Sequence, residues 1–208
     1  MTRPSRNVDQ QILQAGHELL PTTGARGLSI RQVTERAGVN LGMFHYHFKT
    51  KDVFVRALLE QRYNSMFATL ELEAHKTAST MDNLRAAVNV LARFARDNRV
   101  LLVRLLGDAF AGEKVVMEFL QANLPRHLAV VLTLVTQGQQ EGVFKKMAPP
   151  QAVAFLMGGV GAPILLGTAV LNSGLAPPIV GTSLENFVFG DAAIAERVDM
   201  ALAGMSAR

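Results

Sequence analysis

The sequence predicts an all-α protein, and three observations carry that expectation. Apolar residues recur at i, i+3, i+4 and i+7 in one stretch after another, the spacing of a single helical face. Ser, Thr, Asn or Asp stand just before several of these runs and Gly just after, where helix caps belong. Residues 51–76 contain neither Gly nor Pro, so a long helix can run uninterrupted there. With 208 residues, 49% of them apolar, the chain can bury one large core or two small ones.

Arg3 and Arg6 belong to a polar N-terminal arm that should be loosely held. Val8, Ile12, Ala15 and Leu19 then make a helical stripe, which PTTGARG at 21–27 should interrupt. Ser29 precedes the next run and Gln32 follows three residues later, a capping-box spacing in which each side chain can satisfy an unpaired backbone N–H. Ile30, Val33, Thr34 and Ala37 fall on one face of the helix that starts there, with Arg31, Gln32, Glu35 and Arg36 opposite. Gly38 can take the left-handed conformation that ends it. Asn40 suits the N-cap of a second short helix, Leu41 to Tyr46, with Val39 plugging the gap between the two. Phe44 and Phe48 lie one turn apart and should face the core, leaving Asn40, Leu41, Met43, His45 and Tyr46 outward. Lys49 and Lys51 close the unit with positive charge.

Two such helices joined by a tight Gly turn have the geometry that lays a second helix in the DNA major groove, although many helical hairpins that bind no DNA share it. The residue string narrows the choice. AGVNLGMFHYHFKTKDVF resembles the helix-turn-helix of the TetR/AcrR family of transcriptional repressors, whose usual form reads A-G-V-S-x-G-x-L-Y-x-H-F-x-S-K-x-x-L. Ala37, Gly38, Val39, Gly42, His47, Phe48 and Lys51 match outright, and Gly27, Ser29 and Val33 sit where that pattern has Gly, Thr and Ile. Asn40, Phe44 and Thr50 are mild substitutions. One departure bears on chemistry: the family's usual Tyr, which contacts a DNA phosphate, falls at His45. The resemblance covers residues 8–62. It implies a three-helix DNA-binding domain over 6–66, with the helix-turn-helix at 29–48. Ser29, Arg31, Asn40, Leu41, Gly42, Met43, His45, Tyr46, Lys49 and Lys51 would then face double-stranded operator DNA.

Charge is placed in keeping with this. The net charge is +4, and residues 1–62 hold nine Lys and Arg against five acids, while the remainder is balanced. A basic module beside a neutral one suits a polyanion partner for the first alone, though a surplus this small is also common on an ordinary solvated face.

Beyond the motif, Val53 or Phe54, Ala57, Leu58 and Arg62 continue at helical spacing, so a stiff helix should link the first domain to the second. Ser79 or Thr80 can cap another helix, with Leu84, Ala87, Val88, Leu91, Phe94 and Ala95 on its apolar face. Residues 99–111 form the next; Arg104 and Asp108 there read either as a helical ion pair or as polar anchors in an apolar cavity. Residues 113–123 make a further piece, and Pro125 should open a separate helix over 126–141, with His127 at its surface. Residues 152–171 carry no charge over twenty positions, long enough to span a bilayer, but they hold Pro163 and four glycines and lack flanking basic clusters, which favours a buried or subunit-interface helix. Gly174 to Gly190 reads as a loop, and Asp191 can cap a last helix bearing Ile194, Val198, Ala201, Leu202 and Met205.

The chemistry of an enzyme is missing. There is no Cys, and His17, His45, His47, His75 and His127 are scattered without zinc-ligand spacing; His45 and His47 alone make a weak metal pair. No dinucleotide, P-loop or nucleophile-elbow motif is present, and GGVG at 158–161 lies inside an apolar run. Neither catalysis nor a metal or other cofactor is expected, and without a hydrophobic segment behind MTRPSR the cytoplasm is the expected compartment.

The resemblance further implies that residues 67–208 form a larger helical domain for ligand binding and dimerisation. A homodimeric repressor would result, released from its operator when a small, largely apolar effector shifts the two recognition helices out of register with successive major grooves. Helices near 150–173 and 191–205 are the expected dimer interface. Phe94, Arg104, Phe110 and Met117, among segments 81–141, are the candidate pocket lining. The alternatives are a constitutive DNA-binding dimer without ligand response and, from another class, a membrane-associated protein anchored by 152–171; membrane is not the expected partner.

Overall fold

Helical periodicity is realised along nearly the whole chain of the computed structural model, which describes residues 7–174 and 176–207. The arm with Arg3 and Arg6 lies outside the described residues. Packing divides the chain into two compact units: one gathers the chain up to Asn64 together with Val100–Ala122, the other Ser65–Arg99 together with Asn123 onward.

In the first unit, α1 spans Val8–Gly27, so Pro21 lies inside a helix that was expected to end before it. The reason is local. Pro21 has no N–H to offer the carbonyl of His17, and that carbonyl instead accepts from Arg62 Nη2 at 3.1 Å. The interruption comes three residues later, at Gly24, whose φ of 68° and ψ of 178° are essentially closed to other residues. The buried stripe is Val8, Ile12, Ala15 and Leu20, Leu20 taking the place expected for Leu19. Gly16 is also buried, and only glycine fits there without a shift, since a Cβ would lie 2.5 Å from the Phe54 ring.

α2 (Ile30–Ala37) and α3 (Leu41–Phe48) follow, and α1, α2 and α3 pack on one another. Val33, Phe44, Phe48, Phe54 and Leu58 form their common core, with the rings of Phe44 and Phe48 5.1 and 4.9 Å from that of Phe54. α4 (Lys51–Ala74) starts with the Thr50 hydroxyl accepting from the Val53 N–H and runs unbroken through the change of unit. α6 (Arg99–Phe110), which follows α5 (Thr80–Asp97) in the chain, belongs to this first unit from Val100 on, together with the start of α7 (Lys114–Gln140). Glu118 pairs with Arg56, and Phe119 meets Tyr63 edge to face at 5.9 Å.

The second unit holds the rest. α5 begins with Ser79 accepting from Asp82 N–H, as a cap should. α7 is one helix of 27 residues, so Pro125 opens no separate helix; it costs one backbone bond inside a longer run that its neighbours still complete. After it, Phe144 is fully buried and residues 143–145 pair with the chain end, Lys145 N–H to Met205 C=O at 2.8 Å and Ala207 N–H to Val143 C=O at 2.9 Å.

α8 (Pro149–Leu156) passes through a π turn (Met157–Gly161) into α9 (Ala162–Asn172). The segment expected to be a loop is helical instead: α10 (Pro178–Leu184) and a second π turn (Glu185–Phe189), with Pro178 at its first turn, where a missing N–H costs nothing. α11 (Asp191–Met205) is capped by Gly190, not by Asp191, whose carboxylate is held by Arg96 at 2.8 Å and Arg93 at 3.3 Å. α11 packs on α5, α8 and both π turns, around Ile194, Val198 and Leu202.

Candidate nucleic-acid interface

The turn between α2 and α3 is built as the sequence dictates. Gly38 takes φ 67° and ψ 31°, and its N–H returns to Glu35 C=O while that of Val39 reaches Thr34 C=O. Asn40 then caps α3, its side chain accepting from Met43 N–H at 3.0 Å. At the start of α2 the capping box is not made: Ser29 stands at the N-cap with an extended backbone but makes no side-chain cap bond. Arg31 reaches along the helix to Glu35 at 2.8 Å, which raises its affinity for its proton and keeps both ends in solvent.

Burying Phe44 and Phe48 turns the opposite face of α3 outward. Leu41 and Tyr46 are 52% and 74% exposed, large values for apolar and aromatic groups on so small a module. Gly42 and His45 are exposed between them, whereas Met43 is half-buried. α3 also runs two residues past Tyr46, to Phe48.

The exit from α3 is strained. Lys49 has φ 59° and ψ −56°, the sole positive φ outside glycine among the described residues. Thr50 N–H bonds back to Phe48 C=O at 2.6 Å, closing a three-residue turn of the costly hand. The carbonyl of Lys49, redirected by this turn, lies 3.0 Å from His45 Nδ1. A carbonyl only accepts, so Nδ1 carries the hydrogen. In neutral His45 the other nitrogen, Nε2, is therefore a bare acceptor. Next to it in sequence, His47 has its Nε2 buried with no hydrogen-bond partner.

The two lysines differ. Lys49 is exposed, while Lys51 is half-buried and its Nζ donates to Arg26 C=O at 2.8 Å. An open polar groove of about 450 Å³ runs along α1, lined by Asn7, Gln10, Gln11, Gln14 and Arg36, the last held by Glu18 at 2.7 Å.

The four residues expected to line an effector pocket differ in exposure. On α6, Arg104 is exposed and Phe110 is 90% exposed; Met117, on α7, is partly exposed, and Phe94, on α5, is half-buried. Asp108 makes neither of its expected contacts, since its carboxylate faces the backbone of Ala25 and Arg26. Among the described residues no three His, Asp or Glu side chains gather as metal ligands.

Comparison with known proteins agrees with this geometry. Residues 12–58 match the family model for bacterial regulatory proteins of the tetR family. A probable HTH-type transcriptional regulator of Bacillus subtilis, YttP, is 21% identical over 145 residues, 69% of this chain and 70% of that protein. The nucleoid occlusion factor SlmA of Idiomarina loihiensis is 24% identical over 113 residues, 54% of this chain and 58% of its own. Among solved structures, the transcriptional regulator FadR from Bacillus subtilis, in complex with stearoyl-CoA, superposes with a TM-score of 0.69 over 94% of this chain and 98% of its own, at 15% identity, a likeness of fold. With this turn, this cap and this exposed face, residues 12–58 match the DNA-binding helix-turn-helix of the tetR family of bacterial transcriptional regulators, at the head of a chain with an all-α fold like theirs.

Proposed function

We propose that this regulator is a cytoplasmic homodimeric repressor whose α3 reads operator DNA and which a small, largely apolar ligand releases. The observation that carries the reading is the outward face of α3, where Leu41, Gly42, His45 and Tyr46 stand exposed beside the Asn40 cap. The N-terminal residues of a recognition helix reach base edges, and Ser29, Arg31, Lys49 and Lys51 flank them at positions suited to phosphate. Residues 6–66 are the DNA-binding domain on this reading, and 67–208 bind ligand and dimerise.

Dimerisation is supported by an unpaired apolar surface. Pro149–Asn172 is one helical run long and apolar enough to cross a membrane, yet 28% of its most apolar window is buried in the single chain. Phe155, Val170 and Met200 are exposed on α8, α9 and α11, and Leu166 is 66% exposed. A second copy of the same face would cover them, as a two-fold interface does. An apolar effector is supported by the similarly folded FadR, which holds stearoyl-CoA. Phe94, Arg104, Phe110 and Met117 remain the proposed lining.

The test starts by selecting a duplex from a random library with the full-length chain. A palindromic site with half-sites about 34 Å apart is expected for a dimer. Leu166→Glu should yield a monomer that loses most of its affinity for that duplex. Stearoyl-CoA added to the complex should release DNA; unchanged binding would favour the constitutive dimer, and a chain recovered only with detergent would favour the membrane reading.

A further inference from the structure

Asp108 does something that the helix-turn-helix alone does not explain. At Gly24 the backbone leaves helical geometry, and a new turn starts at Ala25. The first N–H groups of any helical turn lack partners, and a side-chain oxygen at the preceding residue ordinarily accepts from them. Gly24 stands in that preceding place and has no side chain. Asp108, from α6, supplies the oxygen: its Oδ2 accepts from Ala25 N–H at 2.6 Å and lies 3.4 Å from Arg26 N. The approach requires glycine, because a Cβ on residue 24 would sit 2.6 Å from that same Oδ2. On the other side of the turn, Lys51 Nζ holds Arg26 C=O at 2.8 Å. The clamped segment leads through buried Leu28 straight to Ser29 and α2.

We propose that Asp108 is a positioning residue for DNA binding: a cap supplied from α6, it fixes the kink of α1 and with it the entry into α2. This rests on the DNA-reading proposal above. Three further details agree. Asp108 is turned away from the exposed Arg104, so no helical ion pair competes for it. Glu118 and Phe119 tie the start of α7 to Arg56 and Tyr63 of α4, so the segment following α6 is anchored to the same body. A carboxylate accepting backbone N–H groups is the stronger, charge-assisted kind of bond.

The test uses the full-length chain and the duplex that wild type selects from a random library. Amide hydrogen exchange at Ala25, duplex affinity and melting temperature are measured for Asp108→Ala, Asp108→Asn and Gly24→Ala. Asp108→Ala should speed exchange at Ala25 and weaken DNA binding by about tenfold, the worth of one charge-assisted hydrogen bond, at temperatures where the variant stays folded. Asp108→Asn keeps an acceptor oxygen and should recover most of both, a rescue that general loss of stability would not give. Gly24→Ala should behave as Asp108→Ala does. Faster exchange at Ala25 with unaltered affinity would overturn the proposal, and so would unaltered exchange. If wild type selects no duplex at all, the DNA reading itself falls, while the exchange data still report on the cap.

Discussion

If His45 meets a DNA phosphate, as proposed, its ring chemistry makes binding depend on pH in a way that the family's usual tyrosine would not. The Nδ1–H is committed to Lys49 C=O at 3.0 Å, so the neutral ring presents only the lone pair of Nε2 outward. A bare acceptor facing a phosphate oxygen gains nothing and repels. Once protonated, the same ring keeps its bond to Lys49 and donates from Nε2 with a full positive charge. On the proposed contact, DNA binding should therefore take up a proton at His45 of each protomer. For a dimer on two half-sites, log K should rise as pH falls, by the gains of the two protomers together. The ceiling is set by the bond gained, about tenfold or more per protomer for a charge-assisted contact. Fluorescence anisotropy on a selected duplex at fixed salt from pH 8 to 6 reads this directly. His45→Tyr should flatten the profile, since a phenol donates without titrating there, and His47→Gln should leave it in place. Equal profiles for wild type and His45→Tyr would refute the argument and move His45 away from phosphate.

Lys49→Ala should lower the slope of log K against log salt by about one per protomer with no loss of thermal stability, whereas Lys51→Ala, which also removes the bond to Arg26 C=O, should lower the melting temperature as well. Lys49→Gly should raise the melting temperature of the free protein by about 2–4 °C, if relief of its positive φ contributes about 1 kcal/mol, and still bind DNA more weakly. Burial holds the His17 imidazole below its ordinary value, with the Gln61 hydrogen bond opposing and Arg62 reinforcing, and burial lowers His127 likewise. The unfolded chain then binds protons first as pH falls below about 6.5, so stability should drop there, and His17→Gln should lessen the drop in a pH series of melting curves. A fragment ending at Asn64 loses Asp108, Glu118 and Phe119, and should melt lower than the full chain and bind a selected duplex weakly; undiminished affinity of that monomer would count against the dimer.

What sequence could reveal was whatever local chemistry decides. Gly38 and Asn40 act within four residues of themselves, and each adopts the conformation its side chain, or lack of one, dictates. Phe44 and Phe48 repeat at one turn and are buried accordingly. Failures occur where a partner distant in sequence intervenes. Pro21 marks a helix end until Arg62 takes over the carbonyl it abandons. Gly24 looks like one more loop residue until Asp108, more than 80 residues on, caps the turn beyond it. Asp191 has the composition of a cap, but Arg96 and Arg93 hold its carboxylate instead. Asp108 itself was legible as a polar residue in an apolar helix, and helical spacing named only Arg104 as its partner, because spacing is blind to a neighbour on another element. Phe144 and the short pairing of 143–145 with the chain end carried no periodic signal at all.

The places where local rules are broken are themselves ordered in space. Lys49 stands in a conformation that costs a side-chain-bearing residue of order 1–3 kcal/mol, and His47 keeps a ring nitrogen buried and unpaired, the two lying at the C-terminal end of α3. Neither is needed to form the helix, which Asn40 already starts and Phe44 and Phe48 already anchor. What the strained turn accomplishes is to aim the Lys49 carbonyl at His45, and so to fix which nitrogen of that ring faces outward. Selection for stability alone would remove the strain by placing glycine at 49. Lysine at 49 fits the proposed DNA reading if its charge meets phosphate and its backbone orients His45, which would make the end of α3, as much as its beginning, part of the surface that meets DNA.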